Sequence, residues 1–274
     1  MFKIILVAIT FLISCSVFGY EFTQSSGCIH DPGDWWDLWD DKTKCCWGGH
    51  RTKHPSNNIL LARATTSFPD GSNYTAALIK AWSKWNNGAS NVNLGTVRTD
   101  GGNLGIGNGH NEIWVSSDQG ILENHPAVVL TFWDYDTCQI AESDMIFDAN
   151  LKWTTGNDAQ KLTVYGGNYR SFEGAAMHEF GHVMGLGHEG DEFNIMGNER
   201  THVSRNSNTV YYGPGEDGNQ GAVVLYGQGS GREDLGASHF KYDKEDANGY
   251  SQHKFGLWCK SEKRPKKIVS TQRC

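Results

Sequence analysis

The 274-residue chain is predicted to carry a mixed α/β (α+β) fold. Three observations predict it. Short apolar runs bounded by Gly and Asn turns read as strands. Between and after them lie three longer segments with helical patterning. Start and stop signals flank the first of those helices at both ends.

Taken in order, residues 58–68 look like a strand, and Pro69-Asp70-Gly71 is a turn signal. Ser72 or Asn73 can cap the helix that follows. In it Ala77, Leu78, Ala81, Trp82 and Trp85 form an amphipathic stripe, and Asn86-Asn87-Gly88 ends it. Residues 113–115, 127–133 and 145–147 are further strand candidates, the second being the strongest. Residues 171–183 and 217–226 read as helices. A hairpin is expected from 239–242 and 254–258, with Asn248-Gly249 between them. No internal repeat is visible.

Composition narrows the function class. Lys and Arg total 24 against 31 Asp and Glu, a formal charge of −7. An acidic chain is a poor general binder of nucleic acid, whose phosphates demand cationic surface. Aromatics reach 12%, with 10 Trp, which is ample material for a packed core and unlike a disordered chain. The charge is uneven, because residues 260–273 carry six cations and one anion. Such a basic tail reads as a solvated end.

The first 19 residues pair one Lys with a short apolar run and end at Gly19. That is the pattern of a secretory signal peptide cleaved after Gly19. The run is too short to span a bilayer, which takes about 20 apolar residues. No later window is longer, so no transmembrane segment is expected. Leu12-Ile13-Ser14-Cys15 also resembles a bacterial lipobox, which would instead anchor a lipoprotein at the cell envelope through Cys15. Either way Cys15 leaves six cysteines: Cys28, Cys45, Cys46, Cys138, Cys259 and Cys274. An even number in an exported chain points to disulfides, with 15 connectivities open. The expected division is leader 1–19, a Cys/Trp-rich segment 20–57, a central domain 58–227 and an extension 228–274 with the basic tail.

The chemistry lies in His178-Glu179-Phe180-Gly181-His182-Val183-Met184-Gly185-Leu186-Gly187-His188. Two His four apart on a helix put both imidazoles on one face, one turn apart, where they can grip one ion. Glu179 follows the first of them and lies beside that ion. Gly185 can take the backbone conformation that ends the helix and brings His188 back as a third ligand. Three protein ligands leave one zinc position open, the catalytic pattern. With 11 His and 33 Gly in the chain, a chance match is on the order of one in ten thousand. Glu179 is the candidate general base, and one Zn2+ the expected cofactor.

This segment resembles the long zinc motif of the metzincin metallopeptidases. Asn194-Ile195-Met196-Gly197 looks like their Met-turn, with Met196 as an apolar floor under the ligands. Its short distance from His188 resembles the matrixins, the matrix metalloproteinase group and its bacterial relatives. Glu189 is instead like the astacins, whose Met-turn lies much further on. The helix around residues 77–85 and the segment 216–227 are similar to the first and last matrixin helices. The segment from Asp144 to Trp153 resembles the stretch that, in animal matrixins, holds a structural zinc and a calcium. Ile146 replaces a zinc-binding His there and Leu151 an acidic calcium ligand, so structural zinc is not expected and Ca2+ is doubtful despite Asp148. The propeptide cysteine motif of animal matrixins is missing.

The resemblance implies a twisted, mostly parallel sheet over the zinc helix, and a smaller lower subdomain holding the Met-turn and the C-terminal helix. It also implies hydrolysis of peptide bonds in an extended protein or peptide substrate that pairs with an edge strand around Val128, Val129 and Leu130. Tyr211 and Tyr212 would wall a specificity pocket. The expectation is thus a secreted, monomeric zinc metalloendopeptidase. The competing reading is a binding or adhesive protein on the same scaffold, with Trp35, Trp36 and Trp39 stacking on glycans and little or no peptidase activity.

Overall fold

The computed structural model describes residues 53–99, 104–134, 137, 139–188, 195–197, 202 and 204–229. The leader, the Trp35, Trp36 and Trp39 group, all six remaining cysteines, the expected hairpin at 239–258 and the basic tail lie outside the described residues.

Alternation builds the first strand. In β1 (Asn58–Ala64) Ile59 and Leu61 are buried and Leu60 is exposed. The strand stops at Ala64, before the expected Phe68, because the Ala64 carbonyl accepts from the amides of Ser67 and Phe68 and turns the chain. Helix α1 (Asn73–Asn86) starts on Ser72, whose side chain accepts from the Thr75 amide, and buries Ala77, Leu78, Ala81 and Trp85. The expected stripe is therefore its core face, with Trp82 half-buried at its margin.

Next come β2 (Asn93–Thr99), β3 (Glu112–Ser116), the one-turn α2 (Gln119–Leu122), β4 (Ala127–Trp133) and β5 (Ile140–Asp148). The sheet order is β2-β1-β3-β5-β4. β1 pairs parallel with β2 and β3, and β3 pairs parallel with β5. β4 alone runs antiparallel, on β5, and forms one edge. The sheet is thus mostly parallel.

Short β6 (Trp153–Thr154) and β7 (Arg170–Ser171) lead into α3 (Phe172–Met184). Ser171 caps α3 by accepting from the Gly174 amide. Most of α3 is buried, as befits a helix packed between the sheet, α1 and the lower part. A hairpin of β8 (Ser204–Asn206) and β9 (Thr209–Tyr211) precedes α4 (Gly215–Tyr226). One aromatic cluster joins the layers: the Phe147 and Phe172 rings lie 4.6 Å apart, and Phe68 and Trp153 contact both. No helix among the described residues is long and apolar enough to cross a membrane.

Residues just outside 58–227 are tied to it. Lys53 donates to the Leu225 carbonyl, and the Gly229 amide donates to Ala89.

Candidate metal centre

Two devices place the imidazoles. The four-residue spacing of His178 and His182 puts their rings one turn apart on α3, with centroids 4.6 Å apart. Gly185 then ends the helix at φ 99°, in the left-handed region that an L side chain rarely adopts. Past it the chain turns, and His188 comes back to face the other two.

The three Nε2 atoms form a nearly equilateral triangle. His178 to His182 is 3.0 Å, His182 to His188 is 3.1 Å and His178 to His188 is 3.2 Å. The contact between His178 and His182 is not a hydrogen bond. His178 Nδ1 lies 2.6 Å from the Ile195 carbonyl and His182 Nδ1 lies 2.8 Å from the Leu186 carbonyl. A carbonyl only accepts, so those Nδ1 atoms carry the protons. Both Nε2 atoms are then bare lone pairs pointing at one another, an arrangement that repels unless a cation lies between them. Zinc bound at about 2.0–2.1 Å spaces tetrahedral ligands about 3.3 Å apart, so the donor set fits that ion. The carbonyls of Ile195 and Leu186 fix tautomer and ring orientation, a supporting role typical of metal-bound His. Being backbone groups, they left no mark in the residue types.

The electrostatics agree. Burial, then the charge of His182, holds His178 well below the usual histidine range, and His188 adds to this. Burial, then His188, lowers His182 to about 4. His188 is lowered by burial and then by nearby His125. The site therefore offers neutral imidazoles, the form that binds metal. Glu179 is 5% exposed, and burial pushes its carboxyl up to about 8. A cation at the imidazoles acts the opposite way and favours the carboxylate.

Met196 is 3% exposed and lies under α3 at Gly181. A Cβ on Gly181 would fall against its Sδ and Cε, so glycine here lets the helix pass directly over the methionine. The neighbouring Ile195 carbonyl is the one that holds His178, so the turn and the helix meet at the site. On α1, Trp85 braces the same helix by donating from Nε1 to the Met177 carbonyl at 2.9 Å.

The remaining candidates are spread around this centre. Val128, Val129 and Leu130 are half-buried on edge strand β4, opposite Ile146, Met145 and Asp144 of β5. Tyr211 is half-buried on β9, whereas Tyr212 belongs to the core, with the Lys84 ammonium 5.8 Å above its ring. Ile146 is fully buried. The Asp148 carboxylate accepts from the Asn150 amide at 2.7 Å and from Gln119 Nε2 at 3.0 Å.

No curated protein matches the chain. A peptidase family model described as matrixin matches residues 63–227, from β1 to just past α4. That span exceeds half of the 274 residues and includes all three imidazoles, Glu179 and Met196, so the chain belongs to the matrixin family of zinc metallopeptidases.

Proposed function

We propose that this matrixin is an exported endopeptidase, with Glu179 as general base and His178, His182 and His188 as the ligands of one catalytic zinc. The observation that carries the reading is the triangle of three converging Nε2 atoms with Glu179 on the same buried turn of α3. Zinc, when bound, supplies a Lewis acid that lowers the pKa of water and polarises a carbonyl.

The chain's own residues do the rest. The Glu179 carboxylate takes a proton from the attacking water and later hands it to the leaving amine. The low-dielectric surroundings that raise its pKa when metal-free also make it a stronger base. An extended substrate adds to the sheet at β4, where main-chain pairing orients the scissile bond without reading side chains. That geometry suits bonds internal to a chain, because it grips residues on both sides of the cut. Export follows from the leader pattern of residues 1–19.

The test is digestion of a proteome-derived peptide library with the zinc-loaded chain. Internal cuts that stop on adding a chelator are expected. Removal of terminal residues only, or no cutting, would overturn the endopeptidase reading. Export is checked by the mature N-terminus: Tyr20 is expected, whereas a lipid-modified Cys15 would replace simple secretion by an envelope anchor.

A further inference from the structure

The turn that follows α3 is held through the carbonyls at the helix end. The last four carbonyls of an α-helix have no donor within it, so they are met from elsewhere. The Leu186 amide donates to the Gly181 carbonyl at 3.0 Å and the Gly185 amide to the His182 carbonyl at 2.9 Å. The Met184 carbonyl is reached from another element. The hydroxyl of Tyr226, the last residue of α4, donates to it at 2.7 Å. Tyr226 and Met184 are 4% and 0% exposed, so water is poorly placed to replace that donor.

Met184 opens the stretch that places two imidazoles. Gly185, next to it, takes the left-handed conformation that turns the chain towards His188. Leu186, one further on, offers the carbonyl 2.8 Å from His182 Nδ1. A shift of the Met184 peptide therefore reaches both ligands within a few bonds.

Tyr226 is itself held by the segment that precedes β1. Lys53 Nζ donates to the Leu225 carbonyl at 2.7 Å and Asn57 Nδ2 to the Tyr226 carbonyl at 3.2 Å, which closes the end of α4. A cation at a helix C-terminus also suits the helix dipole. The same ammonium lies 5.7 Å from the centre of the Tyr226 ring. The His54 amide donates to the Tyr226 hydroxyl at 3.2 Å, which leaves the hydroxyl proton for Met184. The segment is anchored in turn on the sheet. The Lys53 carbonyl accepts from the Ile140 amide and the Asn57 carbonyl from the Asn93 amide, each at 2.8 Å, and His54 Nε2 lies 3.3 Å from Ser143 Oγ. Tyr226 is thus fixed to the starts of β2 and β5.

We propose that Tyr226 is a positioning residue of the zinc site: its hydroxyl, oriented by residues 53–57, fixes the Met184 carbonyl and through it the turn that aims His182 and His188 at the metal. This role rests on the reading of those imidazoles as zinc ligands. It gives the stretch before β1 a part in a site to which it contributes no ligand.

Zinc affinity of the full chain, measured by chelator competition well below the melting temperature, tests this without reference to activity. Tyr226→Phe keeps the ring and removes only the hydroxyl. Its zinc affinity is expected to fall about tenfold, the lower end of what groups supporting a ligand contribute. Lys53→Met should weaken zinc about threefold, the scale of one hydrogen bond. Combined with Tyr226→Phe it should add little, because the segment acts through the hydroxyl. A purely structural role would lower the melting temperature and leave the affinity of the folded protein unchanged. Wild-type affinity in Tyr226→Phe therefore overturns the positioning role, and so does full additivity of the two substitutions. Should Tyr226→Phe fail to fold, Lys53→Met decides alone: weaker zinc binding supports the role and wild-type affinity overturns it. His188→Ala, measured beside them, tests the underlying ligand reading separately. Loss of zinc there with wild-type affinity in Tyr226→Phe strikes only the positioning role, whereas undiminished zinc binding in His188→Ala strikes the ligand reading and this role with it.

Discussion

Replacing Gly181 by Ala adds one methyl at the tightest contact of the site. That methyl would lie 3.4 Å from Trp85 Cζ2 and 2.8 Å from Met196 Cε, with Met196 Sδ closer still. Two terms oppose each other. Alanine favours the helix over glycine by about 1 kcal/mol. Overpacking a closed core by one carbon costs about 1–3 kcal/mol, because Met196 must leave its rotamer or α3 must shift. The net cost is about 1 kcal/mol, equivalent to roughly 2–4 °C in Tm for a core of this size. The larger effect is on zinc. Met196 follows Ile195, whose carbonyl fixes His178 at 2.6 Å, so moving the methionine turns a ligand. Loss of such support weakens metal binding by about 10–100-fold. Thermal melts with and without zinc, together with chelator competition, measure both. A Gly181→Ala protein that melts at or above the wild-type temperature and keeps wild-type zinc affinity would refute the role given to this contact.

Other expectations follow from the same geometry. Gly185→Ala forces an L side chain to φ 99° at a cost of about 1–2 kcal/mol, and it should also lower zinc affinity by misplacing His188. Equal zinc affinity by competition would show that His188 is placed by something else. In the zinc-free protein Asp144 and Glu179 keep a proton up to about pH 8 when folded and lose it at ordinary carboxylate pH when unfolded. The folded state binds more protons over that window, so stability should fall as pH rises towards 8. His54 and His182, both lowered to about 4, act in reverse below pH 6.5, so the fall is cleanest from 6.5 to 8. Urea midpoints that rise across that interval would contradict the assignment.

Much of the architecture could be read from residue order, and the reasons differ by element. The stripe of α1, the Ser72 cap and the His spacing on α3 are local patterns, and each appears in the structure as expected. The apolar run of β4 is equally plain. What escaped was non-local. β2 contains Gly95 and Arg98 and lacks a clear apolar face, and pairing along the whole of β1 is what makes it a strand. The start of β5 is Ile140-Ala141-Glu142-Ser143-Asp144, which reads as loop because buried acids are rare. Here Glu142 is tolerated because loop amides reach it from 33–35 residues away. The β8–β9 hairpin has only three residues per strand and turns through Ser207 at φ 56°, leaving too short a pattern to detect. At the site, side-chain identities were legible, but the carbonyls of Ile195 and Leu186 that set the imidazole tautomers were not.

The central claim is that Glu179 moves the proton while the three imidazoles alone hold the metal. It is tested most directly by Glu179→Ala, measuring bound zinc by elemental analysis and cleavage of a protein substrate on the same sample. One zinc per chain with cleavage reduced by about 100-fold or more is expected, in line with the weight of a general base. Full cleavage with zinc in place would contradict the account, and so would loss of the zinc itself.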